Sequence, residues 1–300
     1  MKRLYKNIIL FILPIALVFI FVSINKRLKY IGLKKECFDH GLLLYDRIYK
    51  DAKPVDLAFF GSSHTINAID DTLIARKLNK SVFNFGFCSL GQNIYYTLLK
   101  EVLTTKKIST VVLEVREDED RYSHKVFPFI ADTKDVLFPP LLYNRDFLSD
   151  IENHFLYKIE LLQDITFDRI EESPVRVTNM GFASFGDTAT AAFLDSVKNV
   201  RSDSKVELTK FERNFHMKYP RSYLSKLAAI CKERDIKIVF LYIPSYSRYG
   251  KPAEYETYMQ YGKVLLPPKE IFDKKSNWHD EDHLNIKGSR ELSLWLADHL

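Results

Sequence analysis

The chain has little cysteine: Cys37, Cys88 and Cys231 are the only three in 300 residues. Their scatter suggests no disulfide framework, excludes a zinc module of paired CxxC motifs, and identifies no compartment. There is no internal repeat. With 28% charged and 46% hydrophobic residues, the composition is not that of a disordered chain. Acid is absent from residues 1–35, which carry eight Lys or Arg (Lys2, Arg3, Lys6, Lys26, Arg27, Lys29, Lys34, Lys35). The formal charge of +5 therefore belongs to the N-terminus, because residues 36–300 hold 36 basic against 39 acidic groups, net −3. A body without basic excess lacks the electrostatic footprint of a nucleic-acid binder.

What the N-terminus does have is a long apolar run. Ile8 to Ile24 reads IILFILPIALVFIFVSI, uncharged and interrupted only by Pro14 and Ser23. At about 1.5 Å per residue such a helix spans roughly 25 Å, near the short limit for a bilayer. Tyr5 and Tyr30 stand where an interfacial aromatic belt would lie. A buried core helix and a cleaved signal peptide are the rival readings. The flanking Lys and Arg argue against the first. The absence of a small-x-small site after the run, where Val22-Ser23-Ile24-Asn25 fits poorly, argues against the second. The expectation is an uncleaved single-pass anchor over residues 1–30, a polar connector over 31–50, and a folded body over 51–300. Three basic residues precede the run and five follow it, so charge alone weakly favours a cytoplasmic body.

The body alternates strand and helix. Val55 to Phe60 is a short, nearly continuous apolar run ending at Gly61, the pattern of a parallel strand buried on both faces. A helix over Asp70–Leu78, a strand over Ser81–Phe85, a helix over Gln92–Thr104 and a strand over Thr110–Val115 follow. Later come a helix near Arg221–Arg234, a strand over Ile236–Ile243 and a closing helix over about Ile286–His299, with Asn285 as its N-cap. This order predicts an α/β fold, a three-layer sandwich around a mostly parallel sheet. Residues 117–215 break the alternation. They are aromatic-rich, with a long helix over about Arg145–Glu171 and a loop at Asn179-Met180-Gly181-Phe182. They read as a helical insertion over the sheet's C-terminal edge, a lid or substrate wall.

Candidate chemistry sits at the two ends of the body. Gly61-Ser62-Ser63-His64-Thr65 follows the first strand, where an open α/β sheet exposes its binding edge. A hydroxyl at such a turn suits a nucleophile that has a base. Asn277-Trp278-His279-Asp280-Glu281-Asp282-His283-Leu284-Asn285 precedes the last helix. The spacing of Asp280 and His283 lets the carboxylate meet Nδ1 and leaves Nε2 free for a serine proton. Asp282, adjoining His283, would point elsewhere.

These motifs resemble those of the SGNH, or GDSL-like, hydrolase superfamily, which carries a Gly-x-Ser block after the first strand and DxxH before the final helix. Here the blocks are Gly61-Ser62-Ser63 and Asp280-Glu281-Asp282-His283. The resemblance implies a flavodoxin-like sheet, with Ser63 as nucleophile, His283 as general base and Asp280 as its orienter. It implies backbone N–H groups of Ser63 and of Ser89 or Gly91, in Asn84-Phe85-Gly86-Phe87-Cys88-Ser89-Leu90-Gly91, as oxyanion donors. Counting from the asparagine, the glycine slot falls on Ser89. The third block departs: where the family has Gly-x-Asn-Asp, this chain has Glu114-Val115-Arg116-Glu117-Asp118. A carboxylate there is expected to repel an oxyanion, with Asn93 or Arg116 as substitutes for the missing Asn. The layout is similar to that of the superfamily's divergent membrane-anchored branch, including proteins resembling the D-alanyl transfer component of teichoic acid operons.

The resemblance implies serine acyl chemistry without a cofactor, on ester groups of a cell-envelope glycan or polymer. It further implies a membrane-bound O-acyltransferase as partner and an extracytoplasmic body. The alternatives are a catalytically inactive assembly protein of the same fold and a metal site from His279, Asp280, Asp282 and His283.

Overall fold

The computed structural model describes residues 2–35, 41–137, 144–169, 177–178, 180–202 and 208–300, without the side chains of residues 15–24, 34–35 and 202. Five strands, β1 (Leu57–Phe60), β2 (Val82–Asn84), β3 (Thr110–Val115), β4 (Lys237–Tyr242) and β5 (Lys263–Leu265), form one sheet in the order β2-β1-β3-β4-β5. Every pairing is parallel. The chain leaves β1 toward β2 and crosses back to β3, so the sheet reverses direction between β1 and β3. In open parallel sheets a crevice opens at this point, beyond the carboxyl ends of the strands.

The period-two alternation of a strand divides the core into two layers. Ala58, Phe60, Val111, Leu113, Val115 and Phe240 face one layer. Leu57, Phe59, Val112, Val239 and Leu241 face the other. The helices used below are α1 (Lys2–Ile24), α2 (Ser63–Ala68), α3 (Asp71–Leu78), α4 (Asn93–Val102), α5 (Phe147–Thr166), α6 (Ala191–Ser202), α7 (Lys218–Glu233) and α8 (Ile286–Ala297). α4 and α7 cover the first face through Ile94, Leu98, Leu99, Leu224 and Leu227. α3 and α8 cover the second through Ile74, Leu292 and Leu296. Truncating Leu292 or Leu296, both fully buried, to Ala costs about 2–5 kcal/mol, which makes α8 a firm platform for the loop before it.

The apolar run folds as the single helix α1, with Pro14 inside it. Among the described residues, no helix is long and apolar enough to cross a membrane. Tyr5 is exposed, but Tyr30, expected at a membrane interface, is buried beside Tyr45 and Tyr49. Leu33, Leu44 and Ile48 join the same core. The described part of the expected polar connector therefore packs on the body through these apolar side chains. In the insertion, the expected long helix is α5; Glu171 and Asn179 lie outside the described residues. Met180 C=O accepts from Asn84 N–H at 2.8 Å and Ala183 N–H donates to Ile66 C=O at 3.1 Å, so the insertion returns across the carboxyl edge of the sheet.

Candidate active site

The turn after β1 is built by small residues and hydroxyls. A Cβ on Gly61 would collide with Thr65 Oγ1 and Glu114 Oε2, so the turn after β1 requires glycine. Ser62 is the N-cap of α2: its Oγ accepts from His64 N–H at 3.2 Å. Ser63 opens the helix, half-buried, with its hydroxyl on the crevice side.

The opposite half comes from a closed loop. Trp278 pairs with Leu284 in an antiparallel bridge, and His279 N–H donates to His283 C=O at 2.9 Å. Inside this loop Asp280 Oδ1 accepts from Asp282 N–H at 2.8 Å and from His283 N–H at 2.7 Å. That is a side-chain-capped turn, which Asp forms readily. It brings the carboxylate to His283 Nδ1, 2.9 Å from Oδ2 and 3.0 Å from Oδ1. Asn285 then starts α8 by accepting from Lys287 and Gly288 N–H. Burial works to raise the Asp280 carboxyl, but the His283 hydrogen bond and charge and the two N–H groups outweigh it and hold it at about 2. With Nδ1–H donated to Asp280, Nε2 is the accepting nitrogen.

The two halves meet: Ser63 Oγ lies 2.8 Å from His283 Nε2. Ser63, His283 and Asp280 thus form one continuous hydrogen-bonded chain, the geometry that a nucleophile, its base and an orienter require. Asp282 points away, to Arg201 at 2.8 Å. His64 is buried, with its ring centroid 5.1 Å from that of His283. Burial first, then the charges of Arg116, His283 and Arg201, push its imidazole well below the usual value.

The oxyanion assignments divide. Among the described residues, no acceptor takes Ser63 N–H, an amide of the first helical turn with no partner inside the helix. Ser89 N–H has none either. Ser89 sits at φ +94°, a conformation that favours glycine, as the count from Asn84 implied. Phe87 N–H donates to Gly61 C=O at 2.9 Å, which fastens this loop to the nucleophile turn two residues before Ser89. Gly91 does not fit the role: its N–H donates to the buried Asp120 carboxylate at 2.8 Å. Its φ of +129° and the collision a Cβ would make with the His124 backbone explain the glycine instead.

The proposed substitutes for the third-block Asn are also engaged elsewhere. Asn93 Nδ2 donates to Ser123 Oγ at 2.8 Å and to Tyr219 OH at 3.3 Å. Arg116 donates to Ser245 Oγ at 2.8 Å and lies 3.7 Å from Glu114 Oε1. Glu114 itself, expected to repel an oxyanion, is buried and accepts from Ser62 and Thr65. Sequence placed the carboxylate at the strand end but not its direction.

The insertion braces the histidine loop. Phe185 stacks on His279 at 4.0 Å and meets the His283 ring edge-on at 5.8 Å. Arg201, on α6, donates to Asp282 Oδ1 at 2.8 Å and to Glu281 C=O at 3.0 Å. Neither residue had a sequence signal, since both act only through tertiary contact. Beside Ser89 lies a cavity of about 430 Å³ walled by Tyr122, His124, Asp146 and Asp150 of the insertion.

The alternative cation cluster is divided among other partners: His279 on Phe185, Asp282 on Arg201, and both His283 nitrogens on Asp280 and Ser63. Among the described residues, no group of three His, Cys, Asp or Glu is arranged to hold a metal ion. Cys88 is disulfide-bonded. Cys231 is a buried free thiol, and Cys37 lies outside the described residues. Sequence spacing says nothing about the Cβ approach a disulfide needs. No family model and no curated protein matches this chain.

Proposed function

We propose that the protein is a membrane-anchored serine acyl hydrolase or acyltransferase of SGNH type, acting on ester groups of a cell-envelope glycan or polymer. The observation that carries this reading is the 2.8 Å contact between Ser63 Oγ and His283 Nε2, with Asp280 on the other ring nitrogen. His283 takes the hydroxyl proton as Ser63 Oγ attacks the ester carbonyl. Ser63 and Ser89 N–H hold the oxyanion. The proton then passes to the departing alkoxide, leaving an acyl-serine. Water or a sugar hydroxyl enters, gives its proton to His283 and takes the acyl group, and His283 returns that proton to the departing Ser63 Oγ. No step requires a cofactor. We place the acceptor in the cavity beside Ser89.

The apolar helix α1, with exposed Ile9 and Phe11, is the proposed anchor. The family resemblance favours an extracytoplasmic body over the orientation that charge alone suggests. A membrane-bound O-acyltransferase is the proposed source of the acyl donor. Intact mass spectrometry of the protein with an activated acetyl ester tests the chemistry. An acetyl adduct at Ser63 supports it, and an unmodified Ser63 under turnover-free conditions counts against it.

The absence of a third-block Asn motivates the second reading, an inactive assembly protein. Ser63→Ala and His283→Ala proteins that fold and fully sustain cellular function would favour that reading.

A further inference from the structure

Glu114 is the one carboxylate of β3, 2% exposed. Its oxygens accept from Ser62 N–H at 2.7 Å, Ser62 Oγ at 2.8 and 3.0 Å, Thr65 N–H at 3.2 Å and Thr65 Oγ1 at 2.7 Å. All four partner groups are donors, and they flank Ser63 on both sides. With His64 N–H on Ser62 Oγ and Ile66 N–H on Ser62 C=O, four of the five successive amides from residue 62 to 66 have acceptors. The amide left over is that of Ser63.

We infer that Glu114 is the positioning residue of the nucleophile turn: it fixes Ser62 and Thr65 so that Ser63 presents its N–H and its hydroxyl to one reacting carbonyl. The inference rests on the serine acyl-transfer reading. A carboxylate suits this place because both its oxygens accept. A Gln would turn an NH₂ group toward donors, and the turn would open to relieve the conflict. The same carboxylate is held from behind by Arg116, which also donates to Ser245; both Ser245 and the Arg116 charge help keep the Asp282 carboxyl below its usual range. The end of β3 therefore reaches both the serine turn and the histidine loop. The negative charge does not oppose the oxyanion, since it lies against the amides behind Ser63, where the first turn of α2 presents its N–H groups.

The test uses Glu114→Gln and, as a milder change, Thr65→Val, in the full chain. The rate of fluorophosphonate labelling at Ser63 is measured per folded molecule, well below each variant's melting temperature. Glu114→Gln is expected to slow labelling by about 10- to 100-fold and Thr65→Val by about 3- to 10-fold, the range for lost hydrogen bonds to a charged group. With an ester substrate the loss falls on kcat and leaves KM unchanged. A merely structural role lowers the melting temperature and leaves the rate per folded molecule alone, and that result overturns the proposal. A wild type that takes no label defeats the acyl-transfer reading instead. The positioning is then read from amide hydrogen exchange: Glu114→Gln must speed exchange at Ser62 and Thr65 by about 10-fold, and unchanged protection there overturns it.

Discussion

Ser63 and His283 stand 220 positions apart in the chain, yet their side chains share a 2.8 Å hydrogen bond. The sheet makes the meeting possible: Ser63 follows β1 at the reversal of strand order, and the loop before α8 is pinned over the same edge. The chemistry follows from that contact, because a serine hydroxyl is a weak nucleophile until a base shares its proton.

Removing any member of the chain should collapse turnover without unfolding the body. Ser63→Ala or His283→Ala should lower kcat by about 10⁴-fold or more, and the double variant should be no worse than either single one. Asp280→Ala should cost about 10²- to 10⁴-fold, through loss of the orienter. Steady-state kinetics on an activated ester, beside circular dichroism, checks all four.

Ser89 has a glycine-like conformation, and in the proposed reaction it acts through its backbone N–H. Ser89→Gly should therefore keep activity within about threefold and raise stability by about 1 kcal/mol, by relieving left-handed strain. Loss of activity in that variant would show that the hydroxyl itself takes part. Gly91→Ala should behave in the opposite way. Its Cβ meets the His124 backbone, and a loss of about 2–4 kcal/mol is expected in chemical denaturation.

Buried carboxyls and imidazoles together shape the pH dependence of stability. Burial raises Asp71 to about 7 and Asp120 and Asp150 to about 6. Because these folded values lie above the usual carboxylate value near 4, the contribution of these carboxyls is complete below about pH 4 and is lost as pH rises through 6 and 7. Burial also lowers His64 and holds His124 at about 4, which opposes that loss up to about pH 6.5. Melting temperature should therefore fall between about pH 6.5 and 8, where both imidazoles are neutral in the folded and unfolded chain. Asp71 Oδ2 has no partner among the described residues. Asp71→Asn should flatten the fall and raise the melting temperature at pH 8 by roughly 5 °C. An unchanged pH profile in this variant would contradict the assignment.

The insertion's hold on the histidine loop is likewise testable. Arg201→Met removes the contacts to Asp282 and Glu281. It should lower kcat by about 10-fold, the scale of one lost charge-assisted hydrogen bond, while labelling at Ser63 remains detectable.

Much of this is legible in the sequence. Apolar runs at β1, β3 and β4 are long enough to read as buried strands. β5 is three residues with one buried side chain, too little pattern to register. Gly61-Ser62-Ser63 and Asp280-x-x-His283 were recognisable because their chemistry depends on local spacing. The rest depended on direction. Whether Glu114 faces the crevice or the turn, whether Tyr30 faces lipid or core, and which acceptor Gly91 N–H finds are decided by packing between distant segments. Arg201 and Phe185 belong to the same class, since an insertion's contacts leave no periodicity.

Fluorophosphonate labelling of the folded chain, followed by peptide mapping, tests the central claim most directly. The account predicts one adduct, on Ser63, formed at a rate that His283→Ala reduces by orders of magnitude. A wild-type protein that reacts elsewhere, or a Ser63 that reacts equally fast without His283, would contradict it.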